Sequence, residues 1–263
     1  MPVDMAALAA DLAAESAVTR ALVAGLNEGG WHTPTPAAGW DIADQISHLA
    51  YFDEVTVQSA VHPAQFRAEL AAAQAGGGID PDTIAARFRD RTGAQLLAWF
   101  EAARADLIAT FTGLDPRARL PWFGPAMSAA SSLTARLMET WAHTQDIADA
   151  LGVTREPTGR LRHVAHIGVG ARAYSYAARG LTLPDTPVRV ELTAPDGSLW
   201  TWGPDDASDR ITGPALDFCL LVTQRRHRDD LALVIEGPGA AEWMAIAQAF
   251  AGAAGTGRKP ADA

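Results

Sequence analysis

Apolar positions in the first 152 residues recur at helical spacing. From Asp4 to Leu26 the inward side carries Leu8, Leu12, Ala13, Leu22, Val23 and Leu26, and Asn27-Glu28-Gly29-Gly30 supplies a stop. A loop follows, fixed by Thr33-Pro34-Thr35-Pro36 and Gly39. A second helix starts near Asp41, with Asp41 or Gly39 as cap and Asp44 as an acid in its first turn. It turns Ile42, Ile46, Leu49, Phe52 and Val55 inward and ends or bends at Pro63. After a flexible break at Gly76-Gly77-Gly78, a third helix is predicted from about Pro81 to Phe111, with Ile84, Phe88, Leu96, Phe100, Leu107 and Ile108 inward. Asp115-Pro116 and Pro121-Trp122-Phe123-Gly124-Pro125 make the next loop. The fourth helix, Leu133 to Leu151, has Ser128 or Ser131 to cap it and Gly152 to stop it. Four long helices without a convincing strand predict a four-helix bundle.

The texture changes beyond Gly152. A helix is expected over about Arg160 to Arg179, and then period-two patterns begin. Val188 to Thr193 alternates, Pro195-Asp196-Gly197 is a hairpin turn, and Leu199 to Trp202 is the return strand. Arg210 to Thr212 reads as a short strand, Ala215 to Gln224 as a helix, Leu231 to Ile235 as a buried strand and Ala240 to Phe250 as a closing helix. The predicted class is α+β, with a helical bundle over 1–152, a small α+β domain over 160–252 and a mobile tail over 253–263.

Composition narrows the function classes. Apolar residues make up 48% and charged ones 20%, a globular balance, and no run of about 18 apolar residues predicts a membrane span. The N-terminus lacks the pattern of a secretory signal, and the single cysteine, Cys219, excludes an internal disulfide, which fits the cytoplasm. A net charge of −10 argues against a nucleic-acid partner, which calls for a basic face.

The chemistry concentrates on the fourth helix. Glu139 and His143 are four apart, so both leave one face, at the edge of the stripe formed by Leu133, Leu137, Thr140, Ile147 and Leu151. An acid and an imidazole aimed at an interior are costly unless something satisfies them. His48, on the inward side of the second helix, is the natural third partner. Two imidazoles and one carboxylate leave coordination positions open, as catalytic sites do and closed structural sites do not. Such a donor set suits zinc, and also nickel or iron.

Taken together, the segments GWDIADQISHLAYFDE and ARLMETWAHTQDIADALG, with 91 residues from His48 to Glu139, resemble the metal-dependent DinB-like superfamily. In particular they look like the mycothiol-dependent maleylpyruvate isomerase family and its actinobacterial relatives. RITGPALDFCLLVTQRR and WMAIAQAF resemble that family's C-terminal α+β domain, so the likeness covers nearly the whole chain. The resemblance implies a four-helix bundle holding a divalent metal on His48, Glu139 and His143. It also implies a thiol cosubstrate, mycothiol. The thiol adds to an activated double bond and leaves after rotation, which isomerises the substrate; in transferase relatives the chemistry stops at the adduct.

Family isomerases take an arginine from the C-terminal domain to hold substrate carboxylates, and Arg225, Arg226 and Arg210 are candidates for that role, each also readable as solvated surface charge. Trp40, Tyr51 and Trp141 are candidates to line the pocket, with core packing as the competing reading. Cys219, in an apolar helix, reads as buried packing rather than as the reactive thiol. The expected partner is a small molecule, with no nucleic acid and no membrane, and the protein is a monomer or homodimer. Two alternatives stay open on the same scaffold: a hydrolase or lyase using metal-bound water, and a non-catalytic metal-binding or small-molecule-binding stress protein.

Overall fold

Side-chain caps set the helix starts of the first half. The computed structural model describes residues 3–75, 78 and 80–261, so Gly76 and Gly77 of the expected glycine break lie outside the described residues. Asp4 accepts from the amides of Ala6 and Ala7 and opens α1 (Met5–Val23). A single turn, α2 (Glu28–Trp31), sits on an Asn27 cap. α3 (Ile42–Val61) begins with a reciprocal capping box between Asp41 and Asp44, which satisfies two amides that a helix start leaves open. Pro63 ends α3, yet its fixed φ then opens a further helix, α4 (Pro63–Ala75).

The expected third helix is two elements, α5 (Pro81–Ala86) and α6 (Gly93–Thr112). The cause is local. Thr92 adopts an extended backbone (φ −69°, ψ 157°) and forms its own capping box with Gln95, so the chain turns over Arg87 to Arg91 and starts afresh. Gly93 at that start is where Trp31 presses closest: a Cβ there would lie 2.2 Å from the indole Nε1. A short antiparallel pair, β1 (Arg119–Leu120) and β2 (Met127–Ser128), leads into α7 (Ala129–Ala150), which Ser128 caps and which gives way to Gly152 at φ +66°.

α1 packs on α6 and α7, and α3 packs on the same two, which closes the four-helix bundle. Ile42, Ile46, Leu49, Leu96, Phe100 and Ile147 form the core at one end, with Val23 and Trp31. Compact contacts divide the chain into two units, Met1–Arg155 and Glu156–Ala263.

In the second unit the expected helix over 160–179 is broken into α8 (Leu161–Gly170) and α9 (Arg172–Ala177). The strands are β3 (Val188–Thr193), β4 (Leu199–Trp202) and β5 (Asp209–Pro214), followed by α10 (Ala215–Val222), β6 (Val234–Glu236) and α11 (Pro238–Ile246). Sheet order is β4-β3-β5-β6. β3 pairs antiparallel with β4 (Leu192 opposite Trp200) and parallel with β5 (Val190 opposite Ile211). β3 buries Val188, Val190 and Leu192 on one side, and α10 packs on β3, β5 and α8. Leu231 to Ile235 is not a buried strand: β6 starts at Val234, pairs among the described residues with β5 alone, and leaves Val234 57% exposed at the sheet edge. Residues 253–260 form neither helix nor strand, and Gln248 Oε1 accepts from the Gly255 amide at 2.9 Å. Among the described residues no helix is long and apolar enough to cross a membrane.

Candidate metal centre

α7 is buried along nearly its whole length, so polar residues on it must be satisfied from inside the bundle. His143 and Glu139 leave one face of α7, and His48 faces them from α3. One ligand atom from each lies within 4.8 Å of the others. The two imidazole centroids are 4.4 Å apart, and His143 Nε2 lies 3.2 Å from Glu139 Oε2. That separation matches two ligands on one tetrahedral ion, for which bond lengths near 2.1 Å give ligand spacings of about 3.4 Å.

The other ring nitrogen of His143 is committed. Nδ1 meets Gln45 Oε1, and Gln45, fully buried on α3, donates its Nε2 to Thr35 Oγ1 at 2.9 Å. Thr35 in turn donates its hydroxyl to the Trp40 carbonyl at 2.9 Å. A carbonyl only accepts, so each direction in this chain is set from that end. Thr35 gives its proton to Trp40 and accepts from the carboxamide NH2, so the carboxamide oxygen is the end that faces His143 Nδ1. The remaining ring nitrogen, Nε2, lies 3.2 Å from the Glu139 carboxylate, where a proton or a metal ion can sit between them.

Burial would raise the Glu139 carboxyl, but His143 in its protonated form, through its hydrogen bond and charge, with the charges of His48 and Arg136, brings it down to about 2. Arg136 reaches this field from a buried clasp. Its Nε donates to Asp53 Oδ1 at 2.9 Å and its Nη2 to the Leu49 carbonyl at 3.2 Å. Arg104 from α6 donates its Nε to Asp53 Oδ2 at 2.6 Å and its Nη2 to Thr140 Oγ1 at 2.9 Å. Two guanidinium groups thus converge on Asp53, which ties α3 to α6 and α7 five residues beyond His48.

Of the aromatic candidates, Trp40 is at the cluster: its ring lies 5.9 Å from His143 in a near-parallel stack and 5.3 Å from His48. Phe52, not singled out in the sequence for the site, packs 4.6 Å from His48. Tyr51 contacts Phe52 and Phe88 instead. Trp141, two residues from both α7 ligands, faces the other way, with the Arg155 guanidinium 5.5 Å over its ring. Asp44 holds Arg89 through both oxygens, at 3.0 and 2.9 Å. Arg210, Arg225 and Arg226 lie in the second unit. Arg210 reaches Glu191 at 3.4 Å, Arg225 donates to the Thr223 carbonyl at 2.7 Å and Arg226 to the Arg225 carbonyl at 2.7 Å. Gln45 and Thr35 escaped the sequence reading. The available signal was a polar residue, Gln45, inside the apolar stripe of Ile42, Ile46 and Leu49.

Two Mycobacterium tuberculosis proteins, described as uncharacterised proteins Rv0036c (strain H37Rv) and MT0041 (strain CDC 1551), are each 47% identical over 249 residues, spanning 95% of this chain and 97% of theirs. The crystal structure of a mycothiol-dependent maleylpyruvate isomerase, and that of a point variant of it, superpose with a TM-score of 0.59 at 15% identity, covering 90% of this chain and 97% of theirs; they share the fold. Residues 184–235 match a model described as wyosine base formation. Residues 12–148, which hold all three candidate ligands, match the model of the mycothiol maleylpyruvate isomerase N-terminal domain, and the chain belongs to that family.

Proposed function

We propose that this protein is a thiol-dependent isomerase or S-transferase acting on a small unsaturated or electrophilic substrate, with a divalent ion held by His48, Glu139 and His143. The observation that carries the metal reading is His143 Nε2 facing the Glu139 carboxylate at 3.2 Å, with His48 beside them. The donor set fits zinc, nickel or iron, and three protein ligands leave room for a further one. A bound divalent ion lowers the pKa of a thiol or water placed on it, which supplies a nucleophile at neutral pH. Everything else falls to the chain. Glu139 stays ionised, Gln45 keeps the His143 ring in one orientation, and Trp40 and Phe52 wall the imidazoles from bulk water. Family membership supports mycothiol as the thiol. Arg210, Arg225 and Arg226 remain the proposed partners for substrate carboxylates, with Trp40 the aromatic wall of the pocket.

Elemental analysis of protein purified without added metal, paired with turnover of a cis-unsaturated keto acid with and without mycothiol, tests the reading. About one divalent ion per chain and turnover only with the thiol are expected. Metal with thiol-independent turnover would replace it by metal-water hydrolysis or lyase chemistry. A chain that takes up no metal would end it.

A further inference from the structure

We infer that Gln45, held by Thr35 and the Trp40 carbonyl, is the positioning residue that confines the imidazole proton of His143 to Nδ1 and so keeps Nε2 bare toward Glu139. The residues involved come from three places: the loop before α3, the first turns of α3, and the middle of α7. A Gln side chain has no preference of its own, since its two ends differ only in which one donates. Here the ambiguity is removed from outside. The Thr35 hydroxyl points its proton at a backbone carbonyl that can only accept, which obliges Thr35 Oγ1 to accept from Gln45 Nε2 at 2.9 Å. Gln45 Oε1 is then the end that meets His143 Nδ1.

Without this relay the neutral imidazole would place its proton on Nε2, where the Glu139 carboxylate 3.2 Å away would take it as a hydrogen bond. That tautomer blocks the nitrogen that faces the other two donors. The relay therefore opposes a self-satisfied Glu139–His143 pair and holds open the state that receives a cation. The same loop stacks the Trp40 ring on His143 at 5.9 Å, and the indole Nε1 is tied to Asp82 at 2.7 Å, so the carbonyl that anchors the relay is fixed at both ends of its residue. Outer hydrogen bonds of this kind tune ligand orientation and basicity in metal sites. Only the metal arm of the test rests on the proposed function; the proton position does not.

The test uses full-length apoprotein labelled with 15N-histidine at alkaline pH, where long-range proton–nitrogen correlations report which ring nitrogen is protonated. His143 signals are identified by their loss in His143→Ala. The wild type should show the proton on Nδ1. Gln45→Glu keeps an acceptor and should retain that pattern. Gln45→Leu, close in size but without polar ends, should move the proton to Nε2. Thr35→Val, in the loop, frees the carboxamide to turn and should give a mixture; it carries the test if Gln45→Leu does not fold. In parallel, zinc affinity measured against a competing chelator should fall about 10- to 100-fold in Gln45→Leu and stay near wild type in Gln45→Glu. A wild-type proton on Nε2, or an unchanged pattern in both Gln45→Leu and Thr35→Val, overturns the inference. The stated proton pattern in a protein that binds no zinc would sustain the inference and reject the metal reading.

Discussion

His48 and His143, from helices far apart in the chain, face each other with ring centroids 4.4 Å apart, and Glu139 completes a set whose ligand atoms lie within 4.8 Å. On the proposed metal reading each imidazole supplies a donor that the other two cannot replace. His48→Ala and His143→Ala should therefore each empty the site, as read by elemental analysis after dialysis. The apoprotein should melt as the wild-type apoprotein does within a few degrees, because the core is built from Ile42, Ile46, Leu49, Leu96, Phe100 and Ile147. Added zinc should raise the melting temperature of the wild type alone, since ligand at about 100 times Kd adds roughly 2.7 kcal/mol. A variant that keeps its metal would remove that histidine from the ligand set.

Glu139 ties stability to pH in a defined direction. Its carboxyl lies at about 2 against an ordinary 4.5, because His143, His48 and Arg136 outweigh the burial that would raise it. A group depressed on folding stabilises the native state fully above its unfolded value and loses that contribution as pH falls through its folded value. The stabilisation is thus present above pH 4.5 and disappears toward about 2. Urea titrations of apoprotein should show wild type losing its margin over Glu139→Gln across that window. A margin that stays constant down to the lower end would contradict the depressed carboxyl.

Asp53 is the group on which two buried guanidiniums converge, Arg104 Nε at 2.6 Å and Arg136 Nε at 2.9 Å. Removing it leaves two like charges together inside the bundle. Breaking a buried pair from one side costs about 3–5 kcal/mol, and Asp53→Ala should lie at the upper end of that range. Equilibrium urea unfolding measures it. A loss below about 1 kcal/mol, the size of an exposed ion pair, would mean that water reaches the clasp.

The three candidate ligands were legible because one-turn spacing on an unbroken helix fixes relative direction: Glu139 and His143 had to leave the same face. His48 was legible because its helix had a clear inward stripe. What the chain order hid was the support. Gln45 and Thr35 look like an ordinary helix polar residue and a turn residue, and their roles arise only when the loop folds back so that Thr35 reaches the Trp40 carbonyl. Asp53 sits beside Phe52 in a stripe that reads as apolar, and its partners are 51 and 83 residues away. Trp141 leaves α7 on a different side, since two residues along a helix is more than half a turn from either candidate ligand. The break between α5 and α6 was written in Thr92 and Gln95, but the apolar period running through Phe88 and Leu96 masked it.

Cys219 bears directly on where a reactive thiol comes from. It is fully buried in α10, its Sγ donating toward the Leu161 carbonyl at 3.4 Å, and burial holds the thiol well above its ordinary range. A thiol in that setting is almost wholly protonated at neutral pH, and the protonated form is not the nucleophile. Ellman's reagent should therefore find no reactive thiol in the native protein and one after denaturation. Cys219→Ala should cost about 1 kcal/mol of stability through the small cavity it leaves and retain full mycothiol-dependent turnover. Rapid native labelling, or turnover lost in a folded Cys219→Ala protein, would place the nucleophilic sulfur on the chain itself and displace the external cosubstrate.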